Sequence, residues 1–303
     1  MKSIFFSTGG VHLVTMLGML TELQNRIDAP NIIGGISAGA MMAAICSTYG
    51  ISDAIDVMMS HMPDKLLENR HKYFNTILSF IFNNSLLKAE HLLETSRLLL
   101  QDKVLQNDLY IGYTNSETME YVTRRFEKGK VYPDLYKHVV ASMSIPMILP
   151  PVKIEGVKYV DGGMYHSLPV EAIQQTIQQS IQQKDPLDLV ILMSKPWKYK
   201  IHHKENRSNF FPMLLNGVHF LKGYQCITVH NDQTILDSLL ENAKLEGDHV
   251  NYSLFHLRQS DTEEWDTKIP MENYGNIKKE ELQALIDLGK SIINENLKTD
   301  LKF

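Results

Sequence analysis

The chain has 303 residues, of which 44% are hydrophobic and 21% are charged, as in an ordinary globular protein with a sizeable buried core. Its formal net charge of −5 argues against nucleic acid as the main partner, because no overall positive field is available to hold phosphates. The two cysteines, Cys46 and Cys226, lie in apolar surroundings, which indicates buried thiols in a reducing compartment and not a disulfide.

Nothing in the sequence predicts a secretory signal peptide, because the chain becomes glycine-rich before an apolar signal core could form. No uncharged apolar run is long enough to span a bilayer. We therefore expect a cytoplasmic protein whose contact with membranes is at most peripheral. Two nearly uncharged aromatic stretches, 73–87 and 209–223, are candidates for that contact, although a core element or an apolar lid over a pocket explains them better.

The first half of the chain alternates buried strands with helices. The run SIFFS predicts a strand at 3–7, and the helical spacing of Leu13, Leu17 and Leu20 predicts a helix after it. The patterns that follow predict a short strand at 31–33, a helix from residue 38, and mostly helical structure over 51–100.

The second half continues this alternation. Its patterns predict a strand at 108–115, a helix from 139 that gives way to proline-containing loops, and a short strand at 158–160. A glutamine-rich helix is predicted at 170–184, with Ile173, Ile177 and Ile181 on one face. A buried strand at 187–194 and a helix after 277 complete the series. Strands that alternate with helices predict an α/β fold of three layers, α/β/α, around a mainly parallel sheet. Because no linker or repeat interrupts the chain, we expect a single domain over 1–303.

One serine stands between two glycines in Gly35-Ile36-Ser37-Ala38-Gly39, where the second predicted strand gives way to its helix. A serine at such a sharp turn exposes its hydroxyl, and its small neighbours let strand and helix pass closely, as in a G-x-S-x-G nucleophile elbow. By itself the pentapeptide is more often a turn where small residues pack tightly. A nucleophilic serine also needs a base and a set of oxyanion donors.

The donors are expected in the loop after the first strand, Ser7-Thr8-Gly9-Gly10. Consecutive glycines at a strand-to-helix junction expose N–H groups that hold developing negative charge. A phosphate site is not indicated, because the P-loop and dinucleotide-binding motifs are absent. No histidine has the context of a catalytic base, since His202 and His203 lie in a charged segment and His219 in an apolar one.

A second glycine-flanked polar residue is Asp161, in Asp161-Gly162-Gly163 after the predicted strand at 158–160. Taken alone, this tripeptide is explained best as a hairpin turn. Its functional interpretation is a carboxylate at a strand end that accepts the serine proton directly, without a histidine.

The three motifs together are specific. In this order, the segments 7–11, 35–39 and 161–163 resemble the patatin-like phospholipases, a family with a Ser–Asp dyad on a three-layer α/β/α fold. The resemblance continues through 141–169, which is similar to the family's segment leading into its catalytic aspartate, and through the helix predicted at 85–100. It covers about residues 3–195, and 196–303 is less diagnostic.

The resemblance assigns roles to the motif residues: Ser37 as nucleophile, Asp161 as the base that activates it, the N–H groups of Gly9, Gly10 and Val11 as the oxyanion hole, Gly35 and Gly39 as the glycines of the elbow, and Gly162 and Gly163 as the aspartate loop. It implies a serine hydrolase that needs no cofactor and no metal, and the sequence contains no evident metal-ligand cluster.

The sequence departs from the family pattern near both loops. Thr8 and Leu13 replace glycines, which restricts the backbone of the oxyanion loop. His12 stands where the family has a basic residue, and a histidine carries full charge only below neutral pH. His166 and Ser167 stand where the family often has asparagine, which could alter the positioning of Asp161.

We therefore predict a lipid acyl hydrolase of the phospholipase A type, which cleaves ester bonds of membrane glycerolipids through an acyl-enzyme. One alternative is a Ser-His-Asp esterase with an essential late histidine, such as His219 or His230. Another is a catalytically impaired lipid-binding protein with the same fold. The expected partners are a lipid or phospholipid substrate and a membrane surface, with acyl-chain walls near Phe80 and Phe211, and no motif identifies or excludes an activator protein.

Overall fold

The computed structural model describes residues 1–27, 29–65, 89–146, 148–195, 228–243, 250–257, 260–261 and 279–298. The two aromatic stretches that we considered for membrane contact, with Phe80 and Phe211, lie wholly outside these residues. So do Cys226 and the histidines at 202, 203 and 219. No helix in the described part of the chain is long and apolar enough to cross a bilayer.

Eight strands form one sheet: β1 (Lys2–Phe6), β2 (Ile32–Ile36), β3 (Asp108–Asn115), β4 (Tyr121–Phe126), β5 (Val152–Ile154), β6 (Val157–Asp161), β7 (Leu187–Met193) and β8 (Val250–His256). The strands β3, β2, β1, β7 and β8 are neighbours in that order and run parallel. The pairs that β4, β5 and β6 make are antiparallel, which leaves the sheet mixed and mostly parallel.

The described helices are α1 (Leu13–Leu23), α2 (Ala38–Tyr49), α3 (Ile51–Lys65), α4 (Glu90–Leu100), α5 (Leu135–Met143), α6 (Val170–Gln183), α7 (228–243) and α8 (Lys279–Lys298). Short 3₁₀ helices at Gly10–His12 and Gly162–Met164 follow β1 and β6. Together the helices and the sheet form a three-layer α/β/α fold.

Each face of the sheet is covered by helices because side chains alternate along its strands. In β1, Ile4 and Phe6 join the apolar cluster that contains residues of α1, α2, α5 and α8. Phe5, between them, points to the opposite cluster, which contains residues of α6 and α7. The central strands are apolar on both faces, as expected of parallel strands covered by helices.

One edge of β3 is shared by two strands that run toward each other. β2 runs parallel to β3, and its last residue, Ile36, lies opposite Gly112. β6 runs antiparallel to β3, and its last residue, Asp161, lies opposite Tyr113. Because Tyr113 also pairs with β4, β4 must occupy the other edge of β3. The ends of β2 and β6 therefore meet head to head along β3.

Several predicted elements agree with the structure and others differ from it. The strand predicted at 108–115 has these bounds, and Ile173 and Ile177 of α6 are buried on one face as predicted. The second strand is longer than predicted and runs through Gly34 and Gly35, which pair with Phe5 and Phe6 of β1. Glycine is required at position 34 because an added Cβ would meet the Phe5 ring at 2.8 Å. The hairpin turn considered for Asp161 is wrong, since a 3₁₀ helix follows this residue.

The prediction of a buried thiol at Cys46 is confirmed. Cys46 lies in α2 with no exposed surface, and burial raises the pKa of its thiol to about 12. A thiol held in this way stays protonated and packs as a small apolar group.

Candidate active site

Ser37 occupies the sharp turn between β2 and α2. Its backbone has φ 56° and ψ −126°, a region that residues with a side chain rarely adopt. α2 begins at the next residue, and the Ala40 N–H already donates to the Ser37 carbonyl at 2.9 Å. The turn therefore places Ser37 directly at the N-terminal end of α2, where the helix dipole favours negative charge.

The two glycines of the elbow are required by close backbone contacts. A Cβ on Gly35 would collide with the carbonyl oxygen of Gly39. A Cβ on Gly39 would collide with the carbonyl oxygens of Ser7 and Phe6, at the end of β1. Strand, turn and helix can therefore approach each other only where these side chains are absent.

The hydroxyl of Ser37 donates a hydrogen bond to Oδ2 of Asp161 at 2.7 Å. The other oxygen of this carboxylate, Oδ1, accepts a 2.7 Å hydrogen bond from the N–H of Gly163. Ser37 and Asp161 are 5% and 4% exposed, so the pair is shielded from bulk water. The structure therefore brings the predicted nucleophile and the predicted base into direct contact, without a histidine between them.

Two serines at the C-terminal end of α5 connect the strand ends that carry this pair. Ser142 accepts from the Ser37 N–H at 2.8 Å, and its hydroxyl donates to the Gly112 carbonyl of β3 at 2.6 Å. The carbonyl of Ser144 accepts from the Asp161 N–H at 2.9 Å. The end of α5 thus fixes the spacing between the two strand ends through both residues of the pair.

Burial raises the pKa of the Asp161 carboxyl to about 7, well above the range of an exposed aspartate. The hydrogen bonds from Ser37 and from the Gly163 N–H act in the opposite direction, because they stabilise the ionised form. A carboxylate with a pKa near neutrality is a stronger base than an ordinary aspartate. It can therefore accept a proton from a serine more readily.

The predicted oxyanion loop leaves β1 beside the elbow. Gly10 is exposed, has φ 52°, and starts the 3₁₀ helix that includes Val11 and leads into α1. Gly9 packs against Ser194, the residue after β7, since an added Cβ would approach its hydroxyl to 2.6 Å. The same hydroxyl donates to the Thr8 carbonyl at 2.5 Å and thereby holds the start of the loop.

The aspartate loop lies against both the sheet and the oxyanion loop. A Cβ on Gly162 would lie 2.6 Å from the Gly112 carbonyl oxygen, and one on Gly163 would lie 3.0 Å from the Thr8 methyl carbon. The two glycines therefore allow the aspartate loop to lie close to both β3 and the oxyanion loop. The substituted position Thr8 is part of this contact.

Sequence reasoning missed four polar residues around the site, namely Ser142, Ser144, Ser194 and Asp232. The first two lie in the stretch 141–169 that resembles the family, which was a usable signal. Asp232 lies on α7, where nothing in the sequence distinguishes it. Of the histidines considered as bases, His230 is exposed on α7. Among the described residues, no group of three or more histidine, cysteine or acidic side chains could hold a metal ion.

Comparison with known proteins agrees with the residue pattern. The model of the patatin-like phospholipase family matches residues 4–173, a range that contains all three motifs. An uncharacterised protein of Acanthamoeba polyphaga mimivirus, R571, is 26% identical over 59% of this chain and 64% of its own length. Lysophospholipase NTE1 of Candida albicans is 26% identical over 55% of this chain and 12% of its own. The chain thus spans less than two thirds of either relative.

The solved structures that are similar to this chain include two at 14% sequence identity. One is VipD from Legionella pneumophila, with a TM-score of 0.46 over 98% of this chain and 67% of that one. The other is ExoU of Pseudomonas aeruginosa in complex with SpcU, with a TM-score of 0.33 over 90% of this chain and 59% of that one. Because the family model matches more than half of its residues, the chain belongs to the patatin-like phospholipase family.

Proposed function

We propose that the protein is a lipid acyl hydrolase that cleaves ester bonds of membrane glycerolipids, with Ser37 as its nucleophile and Asp161 as its base. The observation that carries this proposal is the 2.7 Å hydrogen bond from the Ser37 hydroxyl to the Asp161 carboxylate. Membership of the patatin-like phospholipase family and the similarity to a protein named a lysophospholipase support the substrate class.

The first half of the reaction forms an acyl-enzyme. Asp161 takes the hydroxyl proton while Oγ of Ser37 attacks the ester carbonyl, and the C=O electron pair moves onto the oxygen. N–H groups of Gly9, Gly10 and Val11 stabilise this oxyanion, and such donors contribute about 3 kcal/mol each. When the tetrahedral intermediate collapses, the ester C–O bond breaks and the leaving alcohol takes the proton from Asp161.

The second half repeats the same steps with water. Asp161 takes a proton from a water molecule, whose oxygen attacks the acyl carbonyl, and the proton returns to Oγ of Ser37 as the fatty acid leaves. The position of Ser37 at the start of α2 favours both halves, because the positive end of the helix dipole stabilises negative charge at Oγ and on the oxyanion.

The experiment that tests the proposal measures fatty-acid release from mixed phospholipid vesicles by wild type, Ser37→Ala and Asp161→Asn. We expect release by wild type and its loss in both variants. Asparagine can keep both hydrogen bonds of Asp161, with its oxygen accepting from Gly163 and its nitrogen donating to Oγ, so this variant removes only the base. Matched controls are Ser52→Ala and Asp53→Asn, two neighbouring exposed residues of α3, which should retain full activity.

Other outcomes would favour the alternatives. If Asp161→Asn stays active while Ser37→Ala is inactive, a histidine base must be sought. If wild type releases no fatty acid from vesicles or from a soluble short-chain ester, with or without a candidate activator protein, the proposal fails. Vesicle binding that survives Ser37→Ala would then support a lipid-binding protein.

A further inference from the structure

We infer that Asp232 is a positioning residue of this site. It fixes the position of the aspartate loop relative to the oxyanion loop. The inference rests on the proposed function, since it assigns Asp232 to the same reaction. Asp232 lies on α7, outside the residues 4–173 that match the family model, and it touches neither Ser37 nor Asp161 through any hydrogen bond of the described residues.

The carboxylate of Asp232 binds three consecutive residues of the segment that follows the aspartate loop. Its Oδ2 accepts from the Ser167 N–H at 2.5 Å, from the Ser167 hydroxyl at 2.8 Å and from the Leu168 N–H at 2.9 Å. Its Oδ1 lies 2.6 Å from Nδ1 of His166. Asp232 has no exposed surface, and a buried carboxylate is tolerated only where such partners replace its hydration.

A short hydrogen-bonded turn connects this anchored segment to Asp161. The N–H groups of Tyr165 and His166 both donate to the Gly162 carbonyl, at 3.0 and 3.1 Å. Within the same turn the Gly163 N–H donates to Oδ1 of Asp161. A displacement of His166 would therefore move this turn of 3₁₀ helix and, with it, the carboxylate oxygens of Asp161.

The same anchor reaches the oxyanion loop. The carbonyl of Ser167 accepts a 2.8 Å hydrogen bond from the N–H of Thr8, the residue before Gly9 and Gly10. Ser167 thus donates twice to Asp232 and accepts from the oxyanion loop. One carboxylate of α7 thereby determines the position of the proposed base and that of the proposed oxyanion donors, two parts whose relative placement matters to within about 1 Å.

The departure from the family pattern at Ser167 fits this arrangement. A serine hydroxyl is short and donates to an acceptor that must come close, and the Asp232 carboxylate supplies that acceptor. His166, at the neighbouring substituted position, binds the other oxygen of the same carboxylate. Both substitutions therefore face one partner, which itself comes from the less diagnostic part of the chain.

The test compares Asp232→Ala with Asp232→Asn on a soluble short-chain ester. Alanine removes the acceptor, so we expect kcat to fall by roughly 10- to 100-fold with KM little changed, because a misplacement of about 1 Å can cost that much. Asparagine keeps an oxygen for Ser167 and Leu168 and a nitrogen toward His166, so it should restore most of kcat. The matched control is Asp237→Ala, an exposed aspartate of the same helix, which should behave as wild type.

Amide hydrogen exchange supplies a readout that does not depend on activity. Asp232→Ala should accelerate exchange in residues 7–10 and 162–169 and leave β3 and β7 unchanged, because the anchor acts on two loops only. If Asp232→Ala does not fold, Ser167→Ala removes one of the bonds and should show the same pattern at smaller amplitude. A wild-type kcat in Asp232→Ala, or unchanged exchange in either loop, overturns the inference. An inactive wild type would refute the proposed function, and the exchange pattern would still decide whether Asp232 holds both loops.

Discussion

The two strand ends that meet along β3 are held in place by different means. The elbow after β2 is fixed by the absence of side chains: backbone atoms of Gly39 occupy the space where a Cβ on Gly35 would lie, and carbonyl oxygens of Ser7 and Phe6 occupy that of a Cβ on Gly39. The aspartate loop after β6 is held through the segment that follows it, by hydrogen bonds to groups from elsewhere in the chain, chiefly the Asp232 carboxylate and the backbone N–H of Thr8. The first is a steric constraint between backbone atoms of the elbow and of the end of β1, and the second is a hydrogen-bonded constraint that depends on a side chain from α7.

This difference determines how each of the two strand ends responds to mutation. Backbone contacts around a glycine have no alternative arrangement, so the elbow should tolerate no enlargement. Hydrogen bonds can be weakened one at a time, so the aspartate loop should lose its position by degrees. We expect mutations at the elbow to affect folding, and mutations around the loop to affect mainly the rate.

The largest effect is expected from Gly39→Val at the elbow. Its Cβ would collide with carbonyl oxygens at the end of β1, and neither strand nor helix can move without disturbing the core. We expect a loss of roughly 4 kcal/mol or more in unfolding free energy, measured by urea denaturation. As a control, Gly129→Ala adds a Cβ in open space at a positive φ of 78° and should cost only about 1 kcal/mol. Equal losses would contradict the steric explanation.

The elbow was predictable from the sequence because the glycines that its packing requires are near neighbours in the sequence. Glycines that must touch backbone lie within five residues of one another, and this spacing is visible as G-x-S-x-G. The strand β3 was predictable for a similar reason, since Leu109, Ile111 and Tyr113 recur at every second position between polar residues at both ends. Both features depend on neighbours in the sequence.

The strand β4 and the anchor at Asp232 were not predictable from local patterns, whereas β8 was missed although Val250, Tyr252 and Leu254 alternate with polar residues. β4 is a mostly polar strand with partly exposed residues, so its pairing with β3 leaves no apolar alternation to detect. Asp232 lies 66 residues from His166, and its burial results from the packing of α7. An aspartate in a helix usually faces solvent, so only the three-dimensional structure identifies this one.

A second, smaller effect is expected from Asp161→Asn, which should stabilise the fold. The pKa of Asp161 is raised to about 7, so the folded protein retains a proton that the unfolded chain has already lost. Wild type therefore loses stability as pH rises from about 4 to about 7, and the asparagine variant does not. At pH 8 the variant should be more stable by on the order of 3 kcal/mol. Urea denaturation between pH 5 and 8 measures this difference, and a constant difference would contradict it.

Ser142→Ala tests the connection between the strand ends. It leaves the buried N–H of Ser37 without its acceptor, which should cost about 1–3 kcal/mol and lower kcat. Ser144→Ala is the matched control, because its hydroxyl donates to the Val140 carbonyl within α5 and its loss leaves the link to Asp161 intact. Thermal unfolding and ester hydrolysis of both variants provide the comparison. If the two serines behave alike, the connection through Ser142 has no special role.

The smallest expected effect is the change of wild-type kcat/KM with pH. Asp161 must be ionised to accept a proton, and its pKa is about 7, so kcat/KM should rise with pH through neutrality. Between pH 8 and pH 6 the rate should fall by about tenfold. The measurement uses a soluble ester from pH 5 to 9. An acid limb near pH 4 would mean that the base is an ordinary exposed carboxylate or that Asp161 is better solvated than its burial implies.

The shared edge of β3 also limits how this protein can change by insertion and deletion. β2 must stop opposite Gly112 so that β6 can end opposite Tyr113. One extra residue within β6 would shift Asp161 by a full step and turn its side chain to the other face of the sheet. A residue added to the exposed turn at Gly129, by contrast, would leave both strand ends where they are. Over evolutionary time, loop lengths in such a chain are free to drift, while the lengths of these two short strands are not.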